Sequence, residues 1–328
     1  MNSFLISVVI PVFNENSVIL DTYKRTQQVL QQFNYELIFV DDGSTDGSQE
    51  TLATLPTADP SVQVIFLSRN FGHQNAVSAG LLRARGDAVI IMDADLQDPP
   101  ELIVQFVQLW QQGNDVVYGV RQARPGESIL KRASAHLFYR TLRRMSRVDI
   151  PLDVGDFRLM SRRVVDIVNA MPESHRFLRG MVSWVGFRQV GVPYMRGART
   201  TGHSHYSWQN MWDLSLDGVT SFTVAPLRWV RRIALVIAAV AFAVSLRLIY
   251  AKLHNPHALV LGWTSMMVTV LWLGALQLGV LGIIGEYVGR IAEQGRSRPH
   301  FVVDQVITSE QTSESSKILR PPFDQQSR

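Results

Sequence analysis

Apolar and polar positions along the first 120 residues alternate with two different periods. Short runs rich in branched residues, Leu5–Val12, Glu36–Val40, Val62–Leu67, Ala88–Met92 and Asp115–Val120, read as strands. Between them, Val18–Gln32, Asp46–Leu55, Gln74–Arg83 and Pro100–Gln112 read as helices. This rhythm predicts an α/β fold with a mostly parallel central sheet and helices on both faces. Met1–Val12 runs straight into Pro11 and a polar loop, so it reads as a first strand and not as a signal peptide.

The pattern changes in the last third. Ile233–Leu246 is free of charge and continues past Arg247 to Tyr250, and Ala258–Gly285 has no charged side chain over 28 residues. About 20 apolar residues span a bilayer core. Two transmembrane helices are therefore expected, joined by the short turn Lys252–His257. Arg228, Arg231 and Arg232 precede the pair, and Arg290, Arg296 and Arg298 follow it. By the positive-inside rule both termini face the cytoplasm, making this an integral protein of an inner or plasma membrane.

Composition sharpens the picture. Hydrophobic residues make up 46% of the 328 residues and charged residues only 18%, which excludes a disordered chain. There is no cysteine, so disulfides, thiolate catalysis and Cys-ligated zinc or iron–sulfur centres are excluded. A net charge of +4 gives no reason to expect nucleic acid.

Ligands of such sheets bind at the carboxyl ends of the strands. Polar groups cluster there: Asn14-Glu15, Asp41-Asp42, Arg69-Asn70 and Asp93-Ala94-Asp95 follow the first four strands. No GxGxxG follows the first strand and no GxxxxGK[ST] occurs, so dinucleotide and P-loop readings lose support. In Asp93-Ala94-Asp95, residues i and i+2 of an extended backbone point the same way. The two carboxylates can converge on a hard cation such as Mg²⁺ or Mn²⁺, and Gln97 adds a neutral oxygen. Asp41-Asp42 with Gly43-Ser44-Thr45-Asp46-Gly47 reads as a turn and helix cap, or as hydrogen-bond acceptors for a nucleotide.

These motifs, with Pro11-Val12-Phe13-Asn14-Glu15, Asn70-Phe71-Gly72 and Gly155-Asp156-Phe157-Arg158-Leu159, resemble the family 2 glycosyltransferases. More narrowly, the sequence is similar to their polyisoprenyl-phosphate branch over about residues 5–290. The resemblance implies a GT-A fold of Rossmann-like type, a nucleotide-sugar donor, Mg²⁺ or Mn²⁺, and a lipid phosphate acceptor. It implies that Pro11, Glu15, Asp41, Asp42 and Asn70 contact the nucleotide, while Asp93, Asp95 and Gln97 serve metal and diphosphate. UDP-glucose is the preferred donor; GDP-mannose, UDP-galactose and a modified arabinose donor stay open. Related sequences often have lysine where His205 stands, and a phosphate-contacting serine where Ala135 stands, next to Ser134.

The acceptor side is also legible. Residues 121–147 hold eight Lys or Arg against one acidic residue, Glu127, with an apolar stripe from Ile129 to Met145. This reads as an amphipathic helix in the membrane interface, or as a helix packed on the core with a solvated basic face. Trp208, Trp212 and Trp229 suit the headgroup belt. Arg121, Lys131, Arg132, Ser134, Arg196, Arg199, His203, His205 and Tyr206 are the expected acceptor-phosphate residues. Asp95, Asp156 and Arg158 are the catalytic candidates, with Asp156 either a base or an orienting group for Arg158 or a sugar hydroxyl.

The expected organisation is a cytoplasmic catalytic domain (1–206), an interfacial segment (207–230), two spans (231–287) and a cytoplasmic tail (288–328). A short strand at 301–307, if unpaired, would add to a neighbour's sheet, so homo-oligomerisation is an expectation. A processive polysaccharide synthase lacks support, because the Gln-x-x-Arg-Trp motif and further spans are absent. A nucleotide-sugar-binding membrane scaffold without turnover is the alternative from another class.

Overall fold

The structure, a computed structural model, describes residues 4–121, 154–173, 176–195, 236, 239, 243, 247, 250, 254, 262–296, 298–309 and 311–315. The chain divides into two compact units, residues 1–207 with 298–328, and residues 208–297.

The first unit is built on one nine-stranded sheet. Its first half alternates β1 (Leu5–Val12), α1 (Ile19–Leu30), β2 (Asn34–Asp41), α2 (Ser48–Ala58), β3 (Val62–Leu67), α3 (His73–Arg83), β4 (Ala88–Ile91) and α4 (Leu102–Gln111). Then come β5 (Val116–Arg121), β6 (Val154–Ser161), α5 (Arg162–Ala170), α6 (Leu178–Val185) and β7 (Gln189–Tyr194). The strands β8 (Val303–Thr308) and β9 (Gln311–Ser315) complete the sheet in the order β7-β5-β6-β4-β1-β2-β3-β8-β9. Pairing directions make seven of the nine strands run one way, with β6 and β8 reversed.

Continuous apolar strands follow from burial on both faces. In β1, Ile6, Val8, Val9 and Ile10 are all fully buried, as are Leu37, Ile38, Phe39 and Val40 in β2. The chain leaves β1 for β2 and β3, then returns to pair β4 with the opposite edge of β1. The crevice beyond the carboxyl ends of β1 and β4 is thus the topological switch point.

Two expectations need correction. α2 does not stop at Leu55 but continues past Pro56 to Ala58, where Asp59 N–H donates to Leu55 O at 2.9 Å. Proline removes one helical donor near the end of the helix, where the loss is small. The tail strand is not unpaired: β8 runs antiparallel to β3 on one side and to β9 on the other. Its hydrogen-bonding edges are already occupied, so it gives no reason to expect oligomerisation.

In the second unit, α7 (Trp263–Gly295) has 33 residues, about 50 Å at 1.5 Å per residue. Its window Trp272–Gly289 is long and apolar enough to cross a membrane, and Trp272, Leu278 and Leu281 are exposed. The first expected span lies largely outside the described residues; Val236, Ala239, Ala243, Arg247, Tyr250 and His254 are described and helical. A two-helix hairpin is therefore not observed.

Asp59 ties the N-terminal half together. One oxygen accepts from Ser61 N–H at 2.9 Å, the other from Gln27 Nε2 at 2.8 Å, Tyr23 OH at 3.1 Å and Tyr35 OH at 3.3 Å. Burial pushes its pKa up, but these bonds outweigh it and hold the carboxyl below its ordinary value. A depressed carboxyl contributes stability above the ordinary carboxylate range and loses it as pH falls through the folded-state value. Asp59→Asn should cost about 1.5–3 kcal/mol at pH 7. In thermal melts, the gap to the parent should shrink as the pH is lowered through the carboxylate range.

Candidate active site

The loops after β1, β2 and β3 lock onto one another through Asp41 and Asp42. Asp42 N–H donates to Val12 O at 2.9 Å, extending the β1–β2 pairing beyond the strands. The Asp42 carboxylate accepts Phe71 N–H at 2.7 Å and Gly72 N–H at 2.9 Å, fixing the loop that carries Asn70. Burial raises the Asp42 pKa, and these two amides pull against it. Gly43 has φ +72°, and a Cβ there would lie 2.6 Å from Arg69 C and 2.7 Å from Asn70 N, so only glycine fits.

Asp41 is fully buried. Its Oδ2 accepts from Gly43 N–H and Ser44 N–H at 3.1 Å each and from Gln49 Nε2 at 2.8 Å. Its Oδ1 is buried with no hydrogen-bond partner among the described residues. A buried acceptor left without a donor costs about 1–3 kcal/mol, which a ligand N–H would recover. On the β1 side, Asn14 N–H donates to Ser44 Oγ at 2.9 Å and Glu15 N–H to Ser48 Oγ at 3.1 Å.

Beyond β4 the chain enters the acidic loop Asp93–Asp98. Thr22 of α1 donates its hydroxyl to Ala94 O at 2.7 Å, pinning the residue between the two carboxylates. Asp95 Oδ1 accepts Gln97 N–H at 3.1 Å, a local turn that accommodates φ +56° at Leu96. That conformation costs a leucine on the order of 1–2 kcal/mol, strain of the kind that clusters at functional sites. Asp93 Oδ1 is buried and has no hydrogen-bond partner among the described residues; the nearest cation is His73 Nε2 at 3.6 Å. Burial raises the Asp93 pKa, His73 lowers it, and Asp156, Asp98 and Asp95 raise it further, to about 6.

The β4–β6 register pairs Ile91 with Arg158, and its continuation brings Asp93 opposite Asp156. Directly opposed like charges repel. Arg179, at the start of α6, grips Asp156 with both arms, Nε to Oδ1 at 2.8 Å and Nη2 to Oδ2 at 3.1 Å. His73 Nε2 is 3.3 Å from Asp156 Oδ2. Burial works against the imidazolium, but the Asp156 bond and the charges of Asp93 and Asp156 push its pKa up to about 9. Asp156 is held well below the carboxylate range: burial opposes this, and Arg179 and His73 overcome it.

A second chain of contacts reaches Arg121 at the end of β5. Its Nε donates to Tyr194 OH at 3.3 Å, and Tyr194 OH donates to the fully buried Asp98. The guanidinium lies over Gly155, where a Cβ would sit 2.4 Å from Nη2 and 2.8 Å from Cζ.

The fold therefore gathers Pro11, Glu15, Asp41, Asp42, Asn70, Asp93, Asp95 and Gln97 at neighbouring strand ends, with Asp156 facing the acidic loop across β4–β6. Arg158 departs from expectation. The residue is 4% exposed, and its Nη2 donates to Gly155 O at 2.9 Å, so Arg179 and not Arg158 is the arginine clamped to Asp156. Burial lowers the Arg158 pKa to about 10. Lys131, Arg132, Ser134, Arg196, Arg199, His203, His205 and Tyr206 lie outside the described residues. The sequence reading missed His73, Arg179 and Tyr194; an Asn-Phe-Gly-His-Gln run opening a helix was the available sign for His73.

Among the described residues, no group of three or more His, Asp or Glu side chains forms a self-sufficient metal cage. The chain offers Asp93 and Asp95, hard oxygen donors in a crowded acidic loop. Mg²⁺ is commonly held in this way, by one or two carboxylates, water and ligand phosphates.

A parallel-centred α/β sheet with carboxylates gathered at its switch point places a ligand-binding crevice there. The sequence profile described as Glycosyl transferase family 2 matches residues 7–168. An uncharacterized glycosyltransferase, YkcC, of Bacillus subtilis (strain 168) is 44% identical over 301 residues, 91% of this chain and 93% of that protein. A bactoprenol glucosyl transferase of Shigella phage SfV is 40% identical over 302 residues, covering 91% and 97%. A prophage bactoprenol glucosyl transferase homolog of Escherichia coli (strain K12) is 39% identical over 303 residues, covering 92% and 99%. A crystal structure of a mycobacterial protein shares the fold, with a TM-score of 0.50 and 20% identity over 66% of this chain and 73% of that one. The chain belongs to glycosyl transferase family 2, and it is a glycosyltransferase.

Gly155→Ala tests the seat of Arg121. The added methyl meets the end of a flexible side chain, so the sheet should survive and the guanidinium should move. Glycosyl transfer should fall about tenfold, the worth of one displaced charge-assisted bond, with little change in melting temperature. Unchanged transfer would show that Arg121 needs no such seat.

Proposed function

We propose that this protein is a membrane-bound inverting hexosyltransferase that moves glucose from UDP-glucose onto a polyprenyl phosphate, such as undecaprenyl phosphate, at the cytoplasmic leaflet. The observation that carries the reading is the strand-end cluster, in which a buried Asp41 oxygen at the end of β2 awaits a donor on one side of β1 and the acidic loop after β4 lies on the other. The relatives named bactoprenol glucosyl transferase support both the sugar and the lipid. The apolar α7 helix supports membrane attachment, and the arginines flanking the apolar stretches support cytoplasmic termini.

In this reading Asp41 Oδ1 accepts an N–H of the nucleotide base, and Asp42 holds the loop of Asn70 in place around it. Pro11 and Glu15 border the nucleotide from the β1 side. Asp93 and Asp95, helped by Gln97, hold a divalent cation. When bound, Mg²⁺ or Mn²⁺ neutralises charge on the departing diphosphate. Arg121, seated on Gly155 and Tyr194, steers the acceptor phosphate and screens its repulsion from the donor. The basic segment with Lys131, Arg132 and Ser134, and the later Arg196, Arg199, His203, His205 and Tyr206, extend this acceptor side. A phosphate monoester has a second pKa near 6, so at neutral pH it is mostly a dianion and already a nucleophile. Its oxygen attacks the anomeric carbon as the bond to the diphosphate breaks, giving a β-linked sugar from an α-linked donor.

Membranes carrying the protein, undecaprenyl phosphate and a panel of radiolabelled nucleotide sugars provide the test. Label should enter the organic phase from UDP-glucose, in inverted vesicles but not from outside intact cells. EDTA should abolish it, and Asp95→Asn should lower the rate about a thousandfold. Label that stays in water with every donor, or transfer that survives EDTA, contradicts the proposal.

A further inference from the structure

Asp156 is the carboxylate to which the sequence allows either a base's or an orienting role. A general base needs an oxygen that can take a proton from the acceptor. Asp156 Oδ1 is bonded to Arg179 Nε at 2.8 Å. Its Oδ2 meets Arg179 Nη2 at 3.1 Å, Gln74 Nε2 at 3.3 Å and His73 Nε2 at 3.3 Å. The side chain is 9% exposed. Gln74 is anchored in turn, since its Oε1 accepts Leu178 N–H at 3.1 Å. Three elements meet at this carboxylate, β6, the N-terminus of α3 with His73 and Gln74, and the first turn of α6 with Leu178 and Arg179, and His73 links it to Asp93 in the loop after β4. A group so enclosed by donors holds its neighbours in position.

We propose that Arg179 is a positioning residue for glycosyl transfer: it fixes Asp156 as a strut that holds His73 against the acidic loop at Asp93, and Asp156 takes no proton from the acceptor. The Arg179 guanidinium and the His73 imidazole are thereby set beside Asp156, with His73 also 3.6 Å from Asp93, in the region an anionic acceptor must approach. The inference rests on the transferase reading and narrows it: the acceptor arrives already ionised. The new bond forms from phosphate oxygen to anomeric carbon, the electron pair leaves with the nucleoside diphosphate, and no proton changes hands.

The two roles for Asp156 predict opposite effects of losing Arg179. A base relieved of its arginine becomes more basic, so Arg179→Ala would keep or raise kcat at alkaline pH. A strut released from its arginine loses alignment, and misplacement by about 1 Å can cost a hundredfold. We expect Arg179→Ala to lower kcat about a hundredfold at every pH from about 6 to 9. Donor KM, and UDP binding measured by calorimetry, should change less than about threefold. Added guanidinium ion should restore part of the rate, which a purely structural defect would not allow. In a double mutant, Asp156→Asn should add little to Arg179→Ala, since the two act as one unit. Retained or increased kcat in Arg179→Ala, or additive losses in the double mutant, would overturn the proposal. If Arg179→Ala does not fold, Arg179→Gln, which keeps one donor, is judged by the same split between kcat and KM. A parent protein that binds UDP but labels no lipid would count against the transferase reading alone.

Discussion

Two carboxylates face each other across the β4–β6 pairing, and much of the site's architecture answers that repulsion. Asp93 follows the fourth strand and Asp156 lies opposite it in the continued register, with Asp95 and Asp98 in the same loop. Such crowding is unfavourable unless cations are supplied. The fold supplies Arg179 and His73, both delivered at helix starts, and both lean toward Asp156. Asp93 receives only the more distant contact with His73, and its pKa is pushed up to about 6. The imbalance leaves Asp93, and not Asp156, as the carboxylate with more to gain from a further cation.

The remaining loops make the crevice rigid before any ligand arrives. Asp42 spends both oxygens on backbone amides of the neighbouring loop, and Thr22 spends its hydroxyl on the carbonyl of Ala94. These bonds join residues 29, 30 and 72 positions apart in sequence. Preorganised polar groups of this kind need no rearrangement when charge develops. Asp41 departs from the pattern with one oxygen used three times and the other left for a visitor.

Much of this was legible in the sequence, because the first four strands and helices follow local periodicity and their polar ends fall where the topology puts ligands. The rest depends on distant pairings that periodicity does not encode. β6 enters the sheet antiparallel between β4 and β5, and β8 comes from the far end of the chain to cap β3. Arg158 stands out in the sequence through the Gly155-Asp156-Phe157-Arg158-Leu159 run, which resembles the family 2 glycosyltransferases. In the structure it is Arg179, 23 residues away, that pairs with Asp156, while Arg158 donates to Gly155 O. Tyr194 was invisible for the same reason: its partners, Asp98 and Arg121, lie 96 and 73 residues earlier. The basic segment after Arg121 was read from composition, and all of it lies outside the described part of the chain.

The central claim is that the acidic loop is completed by a divalent cation together with a nucleoside diphosphate. Calorimetric titration of the purified full chain with UDP, with and without Mn²⁺, tests it most directly. The account predicts that Mn²⁺ tightens UDP binding at least about tenfold, or 1.4 kcal/mol, and that Asp93→Asn removes the enhancement. Equal affinity for UDP in the presence and absence of Mn²⁺ would contradict it.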